Sequence, residues 1–220
     1  MLFAIAAAPV ILIAFWFYYK DKFEKEPLRL LLYAFLAGCI SVFPVILIEG
    51  GYKKMGFEPN GDEYFLVFYA YIVIAFTEEI CKYFFVRRIM NKSYVNEPYD
   101  GILYSVMVSL GFAFVENLFY VYQSGLNVGI LRAFTAVPAH ATFGAIMGYY
   151  LGKGKFNGYY GWNTILGIAG AVLFHGSYDY FLFLDNMPLI QLGAFVSLLV
   201  GIRLTRSAIY KHNTNSPFRK

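Results

Sequence analysis

Four apolar stretches of the sequence contain polar residues of the types that carry out proton transfer and bind metals. The first, "AFTEEICKYFF", holds Glu78, Glu79 and Lys82. The other three hold Glu116 and Asn117 in "FAFVENLFY", His140 in "VPAHATFG", and His175 and Asp179 in "LFHGSYDYF". Carboxylates and imidazoles exchange protons with water at useful pH values, and both are ligands of Zn²⁺. These four stretches therefore predict acid–base or metal chemistry in apolar surroundings.

The spacing of these residues indicates how the chain tolerates them. A charged side chain at the centre of a membrane helix costs about 2.5 to 3.5 kcal/mol. Lys82 follows Glu78 and Glu79 by one helical turn, so one helix face can partly neutralise the pair. Asp179 follows His175 by one turn and can accept its ring N–H. A structural ion pair or a packing histidine explains each residue alone, but the set together favours a functional site.

The helices that must position these residues are predicted from composition and hydropathy. The chain is 59% hydrophobic and only 15% charged, whereas soluble domains have about 25% charged residues. Apolar segments long enough for a hydrocarbon core of roughly 30 Å lie at 2–19, 30–49, 64–86, 101–123, 131–152, 162–184 and 186–203. We therefore predict an all-α polytopic membrane protein with about seven transmembrane helices in one bundle.

Basic residues predict the orientation of the bundle. Most of the 18 lysines and arginines fall in loops after the first, third and fifth segments or in the C-terminal tail. The positive-inside rule then places the N-terminus outside and the tail of about 204–220 in the cytoplasm. The loops are short, so residues 1–220 are expected to form a single transmembrane domain. We expect the chain to associate with the lipid bilayer and not with nucleic acid, because its basic residues fall in short loops between apolar segments.

The ordered set of polar segments resembles the PrsW family of intramembrane proteases. The motifs that carry the likeness are "EEICK", "FAFVEN", "PAH" and "HGSYD", supported by "KEPLRLLLYAF" and "EPYDGILYS". The likeness extends from about residue 10 to residue 205. It implies a multi-pass protease of the bacterial cell membrane that makes the first, site-1 type cut in a single-pass substrate such as an anti-sigma factor, on the extracytoplasmic side.

A more distant similarity connects the chain to the type II CAAX prenyl endopeptidases. That family has a double glutamate followed by arginine, then Phe-x-x-x-His and His-x-x-x-Asn. Here Lys82 stands near the place of the arginine, Phe112 is followed by Glu116, and Asp179 replaces the asparagine. These differences argue against a CAAX substrate but leave a glutamate–histidine chemistry in place.

Two mechanisms of peptide hydrolysis fit the residues. In the first, one glutamate of the pair is the general base on water, the other glutamate and Lys82 hold it, and His140 and His175 act as oxyanion donors or acid. In the second, Glu116, His140 and His175 bind Zn²⁺ and Glu78 or Glu79 is the base. The local zinc signature HExxH is absent, and both mechanisms stay open. The candidate catalytic residues are Glu78, Glu79, Glu116, His140, His175 and Asp179, with Lys82 and Asn117 in supporting positions.

Two other functional classes use intramembrane polar residues. A proton-coupled transporter also carries buried glutamate and histidine, but the chain shows no repeated halves of the kind that transporters have. In a non-catalytic scaffold, the histidines would only join helices. A cleavage assay that compares the wild type with Glu79→Gln would separate these classes from a protease.

Overall fold

The computed structural model describes residues 2–59, 62–184 and 188–219, which contain helices and no strands. Seven helical stretches in this part of the chain are long and apolar enough to cross a membrane. This confirms the predicted all-α membrane class. The elements are α1 (Leu2–Lys20), α2 (Leu28–Lys54), α3 (Glu63–Phe68), a π-helix (Tyr69–Phe76), α4 (Thr77–Met90), α5 (Pro98–Ser124), α6 (Leu126–Phe134), α7 (Ala136–Asn157), α8 (Tyr160–Phe183) and α9 (Pro188–Thr214).

Three of the predicted segments differ from the helices observed. The third is not one α-helix, because a π-helix joins α3 to α4. The fifth is divided at Thr135, whose backbone leaves helical geometry (φ −121°, ψ −70°) between α6 and α7. The predicted start of the last segment at residue 186 lies outside the described residues, and its helix continues beyond residue 203 to Thr214. Hydropathy reports apolar length, so it misses both backbone breaks and polar helix extensions.

The helix α5 forms the centre of the bundle, and glycines let α7 lie directly against it. A Cβ atom added to Gly148 would lie 2.2 Å from the carbonyl oxygen of Gly101, and one added to Gly152 would lie 2.4 Å from that of Pro98. Small residues at such a spacing allow helix backbones to approach closely. The glycines that follow His140 at four-residue intervals therefore face α5, and His140 lies on the same side of α7.

The helix α8 packs on α7 through the second predicted stripe of small residues. Ala171 is fully buried, and a Cβ atom added to Gly167 would lie 3.0 Å from the carbonyl oxygen of Met147. His175 continues this stripe by one more turn. The two stripes together bring His140 and His175 side by side, with ring centroids 5.2 Å apart.

One end of the bundle collects the loops that are rich in lysine and arginine. The Lys155 ammonium donates to the carbonyl oxygens of Met90 and Val95 at 2.7 and 2.8 Å. The Asn213 amide donates to the carbonyl oxygen of Lys20 at 3.1 Å. These bonds hold the C-terminal parts of α1, α4, α7 and α9 together. We call this the basic end, and it comprises loops 21–27 and 91–97 and the residues after Thr214.

Candidate active site

A cavity of about 350 Å³ lies in the half of the bundle that is remote from the basic end. It is formed by the second halves of α2, α5 and α8 and the first turns of α4 and α7. Its rim includes the exposed side chains of Ile46, Phe119 and Tyr120, so the cavity reaches the surface. Its polar lining consists of Glu49, Glu78, Glu116, Arg132, His140, His175 and Asp179.

Lys82 connects the glutamate pair of α4 to the histidine of α7. Its Nζ atom lies 3.1 Å from Oε2 of Glu78, 2.9 Å from Oε1 of Glu79 and 3.2 Å from Nδ1 of His140. The Lys82 side chain is almost completely buried, and its ammonium lies 4.0 Å from the centroid of the Phe112 ring. One helical turn separates the lysine from both glutamates, so a single helix face neutralises the pair, as the spacing predicts.

The partners of His140 determine where its proton lies. Nε2 is 2.8 Å from Oε2 of Glu116, and that same oxygen is 2.8 Å from Nη2 of Arg132. An ammonium can only donate and a carboxylate can only accept. Nδ1 therefore accepts from Lys82, while Nε2–H donates to Glu116. This pattern describes a neutral imidazole held at both nitrogens, and Arg132 fixes Glu116 while its Nε donates to Asn117 at 3.3 Å.

His175 has carboxylates at both ring nitrogens. Nδ1 lies 2.9 Å from Oε1 of Glu79, and Nε2 lies 3.2 Å from Oδ2 of Asp179. Oε2 of Glu78 also lies near Nε2, at a distance of 3.9 Å. Because two ionised carboxylates both require donors, His175 is an imidazolium in this arrangement. The ring of Phe143 stacks on it at 4.7 Å. Nδ1 is bound to the buried Glu79, so Nε2 is the nitrogen on the side of Glu78 and the cavity.

The two adjacent glutamates have different environments. Glu78 lines the cavity, whereas Glu79 is fully buried behind it and bonds to both Lys82 and His175 through one oxygen. Successive side chains on a helix point about 100° apart, and here that rotation places Glu78 in the cavity lining and Glu79 outside it. The π-helix that ends at Phe76 determines the direction in which the side chains of the first turn of α4 point. Such π-helical segments are frequent at functional sites.

Comparison with known proteins assigns this site to a family. The family model described as "PrsW family intramembrane metalloprotease" matches residues 26–204. The chain belongs to the PrsW family. It is 36% identical over 205 residues to Protease PrsW of Geobacillus kaustophilus, covering 90% of this chain and 87% of the relative. It is 31% identical over 226 residues to Protease PrsW of Clostridioides difficile, covering 99% of this chain and 94% of the relative. No solved structure matches the chain.

Membership of the PrsW family makes the chain a multi-pass bacterial membrane protein and a membrane peptidase. The resemblance noted in the sequence is thereby confirmed. A third relative, Protease PrsW of Bacillus subtilis, is 36% identical over 179 residues, which cover 80% of this chain and 79% of the relative.

Since the PrsW family is described as a metalloprotease family, the donor atoms can be tested for their fit to a metal. One ligand atom from each of Glu78, Glu79, His140 and His175 lies within 4.8 Å of the others. Imidazole and carboxylate are donors that Zn²⁺ takes, and Oε2 of Glu79 is buried without a hydrogen-bond partner among the described residues. The donors fit zinc, in competition with the Lys82 ammonium for the same carboxylates.

The group of residues that could hold a metal overlaps the set Glu116, His140 and His175 predicted from the sequence, and that predicted set stays a prediction. His140 and His175 belong to both sets, whereas Glu78 and Glu79 belong to the group found here and the carboxylate of Glu116 is bound by Arg132 and His140. All six predicted catalytic residues lie in one connected cluster. Asp179 contacts His175 as its position one turn later predicts.

Sequence reasoning missed two charged residues of the site. Glu49 falls at the end of a predicted span, and Arg132 follows the predicted fourth helix as one basic residue of a presumed loop. In the structure, Arg132 lies on the short helix α6, which packs on α5 and places the guanidinium 3.7 Å from the ring centroid of Tyr120. A lone carboxylate within the apolar α2 was the only sequence signal for Glu49. Nothing in the sequence showed that α6 brings Arg132 to the cavity.

Proposed function

We propose that this PrsW-family peptidase cleaves a single-pass membrane protein, such as an anti-sigma factor, with Glu78 as the general base that activates water. The observation that carries the proposal is the position of Glu78. It is the carboxylate of the pair that faces the cavity, and its Oε2 is held 3.1 Å from Lys82. The base must contact the water that attacks the scissile carbonyl, and Glu79 is fully buried outside the cavity lining.

In the first step, water attacks the carbonyl carbon of the substrate and Glu78 takes one water proton. The carbonyl electron pair moves to oxygen. Arg132 lines the cavity, and its guanidinium has N–H groups beyond those that bind Glu116 and Asn117. These donors stabilise the negative oxygen as it forms. Lys82 keeps the Glu78 carboxylate in place before the attack.

In the second step, the carbon–nitrogen bond breaks and the leaving amine takes a proton from His175. Nε2 is the donor, since Nδ1 is bound by Glu79 behind the cavity. The proton on Glu78 then passes to Nε2, which requires the present 3.9 Å between this nitrogen and Oε2 to shorten to hydrogen-bond distance. The products are a carboxylic acid and an amine, and the site regains its initial protonation. Asp179 holds the ring during both transfers.

Zinc is compatible with the same residues. His140, His175 and Glu79 would hold it, and a bound zinc ion supplies Lewis acidity to the reacting oxygen. Because His175 must be deprotonated to be a ligand, zinc binding is coupled to proton release.

The position of the cavity supports a cut in the extracytoplasmic half of the membrane. The cavity lies away from the basic end, and the positive-inside rule makes the basic end cytoplasmic. A volume of about 350 Å³ accommodates a few residues of a locally extended chain. A single-pass substrate with one unwound helix turn fits this space.

The test uses the purified protein and a single-pass anti-sigma factor that carries a tag at each end. We expect two fragments with the wild type and at least about 100-fold slower cleavage with Glu78→Gln. Glu58→Gln is the matched control, because Glu58 is an exposed glutamate that pairs with Lys53 and does not line the cavity. Mass spectrometry of the fragments should place the cut in the extracytoplasmic half. Undiminished cleavage by Glu78→Gln would contradict the proposed base.

A further inference from the structure

A second group of carboxylates lies at the basic end and takes no part in the proposed reaction. The group lies where two Glu-Pro sequences precede helices. These are Glu26-Pro27 before α2 and Glu97-Pro98 before α5. One oxygen from each of Glu24, Glu26 and Asp100 lies within 4.8 Å of the others. Glu26 and Asp100 are almost fully buried, and Glu24 is half-buried.

Each buried carboxylate of this group is fixed through one oxygen only. The Tyr104 hydroxyl donates to Oε2 of Glu26. Oδ2 of Asp100 accepts from the backbone N–H groups of Asn96 and Glu97 at 2.7 and 2.9 Å. These bonds orient the two side chains and leave Oε1 of Glu26 and Oδ1 of Asp100 without a partner among the described residues, although both atoms are buried.

The lysines around this group form no ion pair with it within 4.0 Å among the described residues. The Lys25 ammonium donates to the backbone carbonyl oxygens of Tyr18 and Asp21. The Lys155 ammonium donates to three backbone carbonyl oxygens of the 90–95 segment. Buried charges are normally paired or bind metals, because an unpaired one costs several kcal/mol. The unpartnered oxygens are therefore suited to binding a cation.

We propose that Glu24, Glu26 and Asp100 bind a hard divalent cation, Mg²⁺ or Ca²⁺, that holds the α1–α2 loop against the start of α5. The donors are all carboxylate oxygens, which these two ions prefer and which distinguish this group from the histidine-containing group of the cavity. The cation ties loop 21–27 to α5, the central helix, whose second half carries Glu116. Its role is to stabilise the bundle rather than to act on the substrate.

The first test is thermal unfolding of the purified protein in a neutral detergent, after treatment with EDTA. Millimolar Mg²⁺ or Ca²⁺ should raise the midpoint by roughly 5 to 10 °C if its concentration is a hundred times the dissociation constant. Glu24→Gln should abolish most of the increase, and Asp100→Asn should abolish it as well. Glu24 is half-buried, so its variant is expected to fold even if Asp100→Asn does not.

Two control variants separate this site from the cavity and from the general surface. Glu78→Gln in the cavity and Glu58→Gln on the surface should both keep the full cation response. A response of equal size in Glu24→Gln and the wild type would overturn the proposal. So would an unchanged wild-type midpoint, which would mean that the carboxyl groups share a proton instead of a cation.

The second test detects the bound ion directly. Terbium(III) replaces Ca²⁺ at oxygen-only sites and luminesces when a nearby tyrosine is excited. Tyr104 contacts Glu26, so terbium bound here should be sensitised, and Ca²⁺ should displace it. The signal should be absent from Glu24→Gln. Neither test requires a substrate, so a failure of the proposed protease mechanism leaves both results interpretable.

Discussion

The ammonium of Lys82 lies 2.9 Å from the carboxylate of Glu79, and both side chains are almost completely buried. The same Glu79 oxygen also bonds to His175. Through His175, Glu79 links α4 to α8, while Glu78 faces the cavity beside it. Glu79 is therefore placed to organise the site, and Glu78 to contact water and substrate.

The first prediction compares the two glutamates directly. Glu78→Gln should remove activity and leave the unfolding midpoint nearly unchanged, because the side chain faces a cavity that reaches the surface. Glu79→Gln should reduce activity and also destabilise the protein by about 1 to 3 kcal/mol, because a buried charge-assisted hydrogen bond is weakened. Cleavage rate and thermal unfolding are measured on the same preparations. Equal destabilisation by both substitutions would argue against the division of roles.

The second prediction concerns the lysine. Lys82→Met leaves two buried carboxylates without their ammonium and should destabilise the protein by about 3 to 5 kcal/mol. Adding Glu79→Gln to Lys82→Met should recover part of this loss, since one unpaired charge is then removed. The double-mutant cycle is read from unfolding midpoints. If the double variant is no more stable than Lys82→Met alone, loss of the ion pair with Glu79 is not the cause of the destabilisation.

The third prediction concerns metal binding in the cavity. Because the Lys82 ammonium contacts Glu78, Glu79 and His140, it competes with a divalent cation for these donors. Lys82→Met should therefore bind zinc more tightly than the wild type, as measured by metal analysis after dialysis against graded zinc. His140→Ala should lower zinc content in either background. Zinc content that does not respond to His140→Ala would place the metal elsewhere.

The fourth prediction concerns Glu116 as a positioning residue. Glu116→Gln keeps the shape of the side chain but weakens the charged contacts to Arg132 and His140. The maximal cleavage rate should fall by roughly 10- to 100-fold, because Glu116 positions Arg132, the proposed donor to the negative oxygen. The KM for the substrate should change little, whereas a purely structural role would instead lower the unfolding midpoint. Glu58→Gln again serves as the control.

The fifth prediction tests the close contact between α5 and α7. Gly148→Ala introduces a Cβ atom 2.2 Å from a backbone oxygen of Gly101, so the helices must separate. We expect a destabilisation of about 1 to 3 kcal/mol. Gly161→Ala on α8 is the matched control, because a Cβ atom there meets no atom within 4 Å. In thermal unfolding, Gly148→Ala should lower the midpoint more than Gly161→Ala does. Equal midpoints for the two variants would contradict the close contact between α5 and α7.

The orientation of the chain also stays a prediction. A tag after residue 220 should be protected from protease added to the extracytoplasmic side of sealed vesicles, because the basic end is expected in the cytoplasm.

The sequence by itself determined the membrane class, the number of spans and the identity of most charged residues in the site. Those features depend on local quantities: the length of an apolar segment, and the cost of placing a glutamate or histidine within it. The contact of Lys82 with its two glutamates and that of Asp179 with His175 were also predictable, since both pairs are one helical turn apart.

Only the tertiary structure decided which glutamate faces the cavity, and which residues complete it. The π-helix before Thr77 sets the rotation of α4, and no hydropathy pattern reports that rotation. Arg132 reaches Glu116 because α6, which ends at the break at Thr135, packs on α5. Glu26 and Asp100 meet because loop 21–27 folds against α5, although 74 positions separate them in the sequence. Side-chain direction and long-range contact depend on how the helices pack, and packing is a property of the whole bundle rather than of any one segment.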